Sequence, residues 1–145
     1  MNPESLKSLP LLSDMSPSQR QSLFEQLEYR RIERGRRLVS EGSEAEGLVL
    51  VQSGRVRFEA DCEPHALIEE GPITLGRYAL IRAGQRECTA FAETPCEIWR
   101  LSRTAYRRLF EDCPEVACRL LEALLAESAA LSQEMIESFG PEVRV

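Results

Sequence analysis

Apolar and polar positions change their rhythm twice along the chain. Ser16-Pro17-Ser18-Gln19 reads as a capping box with proline at the first helical position, and Leu23, Phe24 and Leu27 follow as an apolar face, which predicts a leading helix. From Tyr29 the spacing shortens to β-prone runs: Tyr29–Ile32, Arg37–Val39, Leu48–Gln52, Val56–Ala60, Ala66–Glu69, Ile73–Leu75, Glu87–Ala92 and Cys96–Leu101. Turn residues at Gly35, Gly42, Gly54, Gly71-Pro72 and Thr94-Pro95 divide them. About eight short strands at such spacing predict a jelly-roll β-barrel, mostly β with flanking α. After the strands the helical rhythm returns. Ser102 is placed to cap a short helix bearing Tyr106, Leu109 and Phe110, and Pro114 opens a long one that runs to about Ser138 and stops at Gly140-Pro141. Along it Ala117, Leu121, Leu124, Ser128, Leu131 and Met135 alternate by four and three, as in a coiled-coil seam. The expected layout is one domain over 1–145: a helical segment over 1–28, the barrel over 29–101 and the closing helices over 102–139.

Composition narrows the function classes. The chain of 145 residues is 43% hydrophobic and 29% charged, which suits a folded globular domain with its own core. A net charge of −6 opposes nonspecific attraction to DNA or to anionic membranes. The start, Met1 to Ser8, is polar, and the longest apolar runs fall far short of the about 18 residues a membrane span requires. Lys7 is the sole lysine beside seventeen arginines, and arginine suits forked contacts with phosphate or carboxylate. Five cysteines (Cys62, Cys88, Cys96, Cys113, Cys118) without a C-x-x-C pair are expected as buried free thiols in a reducing cytoplasm. Cys62 and His65 have metal-like spacing, but His65 is the only histidine and a site needs three or four ligands, so no metal is expected. Glu69 and Glu70 are neighbours on a strand and point to opposite faces, so they cannot work as an acid–base pair. No nucleophile, base or metal set converges, and the expectation is a protein without catalysis.

Two stretches carry more specific information. One runs from Arg34-Gly35-Arg36-Arg37-Leu38 through Glu41-Gly42-Ser43-Glu44-Ala45-Glu46-Gly47 to Ser53-Gly54-Arg55-Val56; the other runs from Gly71 to Ala92 and includes Leu75-Gly76-Arg77-Tyr78-Ala79-Leu80-Ile81 and Gln85-Arg86-Glu87-Cys88-Thr89. Together they resemble the cyclic nucleotide-binding domain family of Crp/Fnr-like bacterial regulators, cyclic-nucleotide-dependent kinases and gated channels. The resemblance implies a phosphate-binding cassette with a short helix, of the pattern F-G-E-x-A-L-(I/L) followed by P-R-A-A-(T/S). In that cassette a glycine lets backbone approach the ligand, a glutamate accepts from the ribose 2′-hydroxyl, and an arginine clamps the cyclic phosphate. Gly76, Ala79, Leu80, Arg86 and Thr89 fall on those positions with the spacing kept.

The departures bear on the ligand. Arg77 stands where the family has its glutamate, so a donor-only group replaces the ribose acceptor. Glu87 stands where a small residue follows the arginine, Gln85 replaces proline, and Cys88 replaces alanine or serine. A phosphate and a carboxylate about 4 Å apart repel by about 4 kcal/mol at an effective dielectric near 20. Glu87 is also able, on sequence grounds, to pair with Arg86 or Arg77 and fill the anion site from within. The degenerate cassette therefore comprises Gly76, Arg77, Tyr78, Ala79, Arg86, Glu87, Cys88 and Thr89, with no cofactor assigned and ordinary cyclic AMP binding not favoured.

The same resemblance implies a homodimer through the closing helix, with Leu121, Leu124, Ser128 and Leu131 as its seam. The expected function is a non-enzymatic regulatory or signalling domain in the cytoplasm, without DNA or membrane contact of its own. In Crp-like regulators a DNA-binding unit follows the long helix, whereas here only Gly140 to Val145 follow it. Two alternatives stay open: a ligand-free module for protein–protein interaction or dimerisation, and the sensor fragment of a Crp/Fnr-type transcription regulator. The run Arg30, Arg31, Arg34, Arg36 and Arg37 falls on strand edges and a turn, where solvated charge is expected.

Overall fold

A computed structural model of the chain describes residues 3–138. The short alternating runs become eight strands: β1 (Glu28–Ile32), β2 (Arg37–Val39), β3 (Gly47–Ser53), β4 (Arg55–Ala60), β5 (Glu63–Glu70), β6 (Ile73–Leu75), β7 (Thr89–Ala92) and β8 (Cys96–Ser102). They form two four-stranded antiparallel sheets of order β1-β8-β3-β6 and β2-β7-β4-β5. The jelly roll is thus a pair of facing sheets and not a closed barrel. The ring stays open because the edge strands β1 and β6 of one sheet make no ladder with the edge strands β2 and β5 of the other, and the inner faces pack against each other instead. Glu87 and Cys88, expected at the start of a strand, lie ahead of β7.

Two clusters of buried side chains hold the fold. Between the sheets pack Leu38, Val49, Val51, Val56, Ala90, Ala92, Cys96 and Ile98. On the far side of the first sheet, Leu48, Leu50, Trp99 and Leu101 meet the helices. Alternation along β3 and β8 explains the division, since odd and even residues of one strand face opposite ways. The first sheet is thus backed by helices, whereas the second is packed on one face only. Trp99 anchors the backing: its ring lies 5.7 Å from Phe24 and 5.2 Å from Tyr29, and its indole N–H donates to Gln52 at 2.7 Å.

The start of the chain contributes more than its polarity suggested. Two 3-10 helices, Pro3–Ser8 and Pro10–Leu12, precede α1 (Pro17–Phe24). Leu6 lies on the first of these helices, Leu12 on the second and Leu9 on the extended residue between them, and all three are buried in the helix-side cluster. The segment is thus not merely a polar lead. The capping box forms as expected: Ser16 Oγ accepts from the Gln19 amide at 3.2 Å, and Gln19 Oε1 accepts from the Ser16 amide at 3.0 Å.

Ser102 caps α2 (Arg103–Asp112), accepting from the Ala105 amide at 3.1 Å. Tyr106 and Leu109 are buried as expected, while Phe110 stays exposed and tilts against Tyr106 at 6.4 Å. In α3 (Pro114–Ser138), Val116, Ala117, Leu120 and Leu124 are buried, and Leu121 packs against the same cluster. Leu124 therefore belongs to the chain's own core and not to a free seam, and Leu121 is half-buried there. From Ala129 to Ser138 every residue is exposed, Leu131 and Met135 among them. The expected stop at Gly140-Pro141 lies outside the described residues. No helix among the described residues is long and apolar enough to cross a membrane. Of the thiols, Cys96 is buried, Cys88 and Cys113 are half-buried, and Cys62 and Cys118 are exposed, so burial holds for one of the five alone.

Candidate functional site

β6 ends at Leu75, and the chain reverses through Gly76, whose φ of +76° is a conformation that side chains disfavour. The segment expected as a short cassette helix is a run of hydrogen-bonded turns, with the Ala79 amide on the Gly76 carbonyl at 3.0 Å and the Arg82 amide on the Tyr78 carbonyl at 3.0 Å. Ala79 and Leu80 are buried and seat these turns. The Arg103 guanidinium donates to the Ala79 carbonyl at 3.3 Å and the Arg82 carbonyl at 3.2 Å, so the start of α2 also holds them. Leaving the turns, the chain meets the β2–β3 loop: the Arg86 amide donates to Ser43 at 2.8 Å and the Gly42 amide to the Arg86 carbonyl at 2.9 Å.

Two glycines make a slot for the Arg86 side chain. Its Nη2 donates to the Gly47 carbonyl at 2.9 Å. A Cβ on Gly76 would collide with Arg86 Nη1 and stand 2.9 Å from the Gly47 carbonyl; a Cβ on Gly47 would collide with the Leu101 carbonyl. Thr89 fixes the far side by accepting from the Glu41 amide at 2.9 Å. Burial pushes the Arg86 pKa down and Arg100 pushes it further, while Cys88 and Glu46 act in the opposite direction. The guanidinium is still a cation at any physiological pH.

Arg77 turns away from this slot. Its Nη2 pairs with Glu127 of α3 at 3.7 Å, and Glu127 also accepts from Thr74 Oγ1 at 3.3 Å. Tyr78, next in the chain, donates its hydroxyl to Ser128 at 3.2 Å. The turns are thereby tied to α3 by Thr74, Arg77 and Tyr78. Glu87 is exposed and makes no ion pair among the described residues, so it fills no anion site; it lies near Cys88, whose thiol is pushed up by burial first and then by Glu87 and Glu41. The expected pairing of Glu87 with Arg86 or Arg77 is therefore corrected on both counts. Arg86 holds Gly47, and Arg77 holds Glu127.

Beside the slot, where β8 runs out and β3 begins, an open cavity of about 630 Å³ is lined by Arg86, Glu46, Gly47, Val49 and Arg100 among others. Of the predicted cassette, only Arg86 lines it; Gly76, Arg77, Tyr78, Ala79, Glu87, Cys88 and Thr89 do not.

The sequence pattern of the cyclic nucleotide-binding domain family matches residues 29–113, more than half of the chain. The chain belongs to that family. This domain is 27% identical over 112 residues to the cAMP-dependent protein kinase regulatory subunit of Yarrowia lipolytica, a match that covers 77% of the chain and 29% of that subunit. The domain therefore spans less than a third of that relative's length. Among solved structures it resembles a cyclic nucleotide-binding domain from Methylobacillus flagellatus, with a TM-score of 0.78, 21% identity, and 96% and 80% of the two chains covered. It also resembles the catabolite activator protein of Thermus thermophilus, with a TM-score of 0.71, 22% identity, and 90% and 62% covered. At these identities the two structures show the fold.

Three residues of this domain's site were missed from sequence: Gly47, Arg100 and Glu127. Arg100 had a readable signal, because it follows Cys96 and Ile98 at intervals of two on β8 and so shares their inward face. Glu127 had none, since its partner lies fifty residues away in the chain.

Proposed function

We propose that this is a non-enzymatic regulatory domain that takes a small anionic ligand through Arg86 and passes its presence to α3. One observation supports the reading above others: the Arg86 guanidinium is held between Gly76 and Gly47 at the edge of a cavity, while the residue beside Gly76 is tied to α3. An ordinary cyclic nucleotide is a poor fit, because Arg77 provides no acceptor for a ribose hydroxyl and is engaged by Glu127. By isothermal calorimetry the wild type is expected to bind cyclic AMP and cyclic GMP more weakly than micromolar. Arg77→Glu with Glu87→Ala is expected to recover about tenfold in affinity, roughly the worth of one charge-assisted hydrogen bond. Arg77→Glu is expected to supply the larger share, because it restores a hydrogen-bond acceptor beside Gly76, whereas Glu87 is exposed and fills no anion site. Arg86→Ala is expected to abolish the gain. Micromolar binding by the wild type removes the degenerate-cassette reading, and indifference of every ligand to Arg86→Ala favours the ligand-free interaction module instead.

A second copy of the chain is the partner we propose for the far half of α3. The face that begins with the buried Leu120 and Leu124 continues past the core as Leu131 and Met135, both exposed. A parallel two-fold pairing makes such a stripe self-complementary. Leu131→Glu is then expected to give monomers in light scattering without loss of fold. A wild type that is already monomeric at high concentration removes the dimer.

A further inference from the structure

The cavity beside the slot holds a second arginine that no cassette accounts for. Arg100 lies on β8 opposite Val49 of β3 and Glu28 of β1. Its predecessors on the same face, Cys96 and Ile98, are buried between the sheets, so an apolar wall ends in a guanidinium. Arg100 is partly buried, and it makes no hydrogen bond or ion pair among the described residues. A cation on such a wall is costly without a partner. It is also close enough to Arg86 to lower that residue's pKa, second only to burial.

The acids around the cavity do not balance the pair. Glu28 is held by Arg30 at 2.5 Å and Glu44 by Arg103 at 3.3 Å. Glu46 remains, exposed and without an ion pair among the described residues. Arg37 points elsewhere, its guanidinium lying 5.7 Å from the Phe91 ring. Arg108 of α2 also lines the cavity but is exposed, as Arg37 is, so Arg86 and Arg100 are the two partly buried guanidinium groups that meet there, with one solvated carboxylate beside them. Each guanidinium is a planar fork suited to an oxyanion.

We propose that Arg100 is a specificity-determining residue of this cavity, and that the ligand carries two anionic groups, one for Arg86 and one for Arg100. The inference rests on the reading that Arg86 takes an anion, and it adds the second charge. The ligand class is a compact diphosphate or dicarboxylate, for which no ribose acceptor is needed. A mono-anionic cyclic nucleotide leaves Arg100 without a partner.

The test compares pyrophosphate and malonate, each with two anionic groups, against orthophosphate and acetate at matched ionic strength. Calorimetry reports affinity, and the arginine Nε–Hε signals in NMR report which side chains respond. At least one two-group probe is expected to bind about tenfold tighter than its one-group counterpart, and which of the two does so separates diphosphate from dicarboxylate. That probe is expected to move the signals of both Arg86 and Arg100. Arg100→Gln is expected to remove the tenfold preference and leave the one-group probe unchanged, and Arg100→Lys to retain part of it. Equal affinity for one-group and two-group probes, or an Arg100 signal that never moves, overturns the second site and leaves the first standing. Arg86→Gln without effect on any probe overturns the anion reading itself. The NMR arm needs no variant, so it decides even if a substitution unfolds the protein.

Discussion

The two sheets are built from strands of similar length, yet they live in different surroundings. The sheet β1-β8-β3-β6 is covered on one side by its partner sheet and on the other by the helices. The sheet β2-β7-β4-β5 is covered on one side only, and its edge strand β5 is exposed along all eight residues. Antiparallel sheets tolerate such one-sided wetting because alternate residues can be polar. Arg57 and Phe91 face outward on the second sheet: Arg57 lies 4.9 Å over the Phe91 ring and pairs with Glu93 at 3.0 Å. The difference teaches where precision is held. Arg100 and Gly47, the fixed side of the candidate site, belong to the doubly covered sheet, while Arg86 arrives on the connection between the two sheets.

The sharpest way to break this comparison is to remove one aromatic from each sheet's outer face. Trp99→Ala, in the helix-backed sheet, is expected to cost about 3–5 kcal/mol in urea unfolding. Phe91→Ala, on the wet face, is expected to cost about 1 kcal/mol, since it loses cation–π contact and little burial. Equal costs would mean that the helices add no more than solvent does.

A smaller effect is expected where the first sheet meets α3. A double-mutant cycle on Arg77 and Glu127, using Arg77→Gln and Glu127→Gln, is expected to return a coupling of about 0.5 kcal/mol, because the pair is partly exposed and 3.7 Å long. A coupling of zero in thermal unfolding would leave the turns tied to α3 by Thr74 and Tyr78 alone. The smallest effect concerns Cys88, just ahead of the second sheet. Glu87 helps to raise its thiol pKa, so Glu87→Gln lowers that pKa and increases the thiolate fraction at a given pH below it. Alkylation at pH 8 is then expected to quicken by about twofold. No change would leave burial and Glu41 as the causes of the raised Cys88 thiol.

Much of this architecture was legible in the residues because the β-rhythm is plain. Leu48-Val49-Leu50-Val51 and Ile98-Trp99 alternate between two buried faces, and the turn glycines fall between runs. The 3-10 helices were not legible, since they are only six and three residues long and the buried leucines Leu6, Leu9 and Leu12 sit on two separate helices and the extended residue between them, with no α or β period. The seam on α3 was only half legible. Heptad spacing names a stripe, but it does not say how much of the stripe the chain's own core will consume, and Leu124 is consumed. At the site, spacing located Arg86 and Gly76, whereas charge complementarity misled: Arg77 and Glu87 look like partners on paper, and their side chains leave in different directions. Arg100 was hidden because an arginine on a short strand ordinarily faces solvent, and only its register with the buried Cys96 and Ile98 turns it inward.

The far end of α3 has a mechanical meaning as well. The latch formed by Thr74, Arg77 and Tyr78 grips the helix at Glu127 and Ser128, and ten further residues project beyond it. At 1.5 Å of rise per residue that projection is a lever of about 15 Å. A tilt of roughly 10° at the latch carries its tip through about 2.6 Å, a displacement comparable to a hydrogen-bond length. A rearrangement of the Gly76 turns that tilted the helix by that amount would be large enough to make or break contacts at the end of the helix.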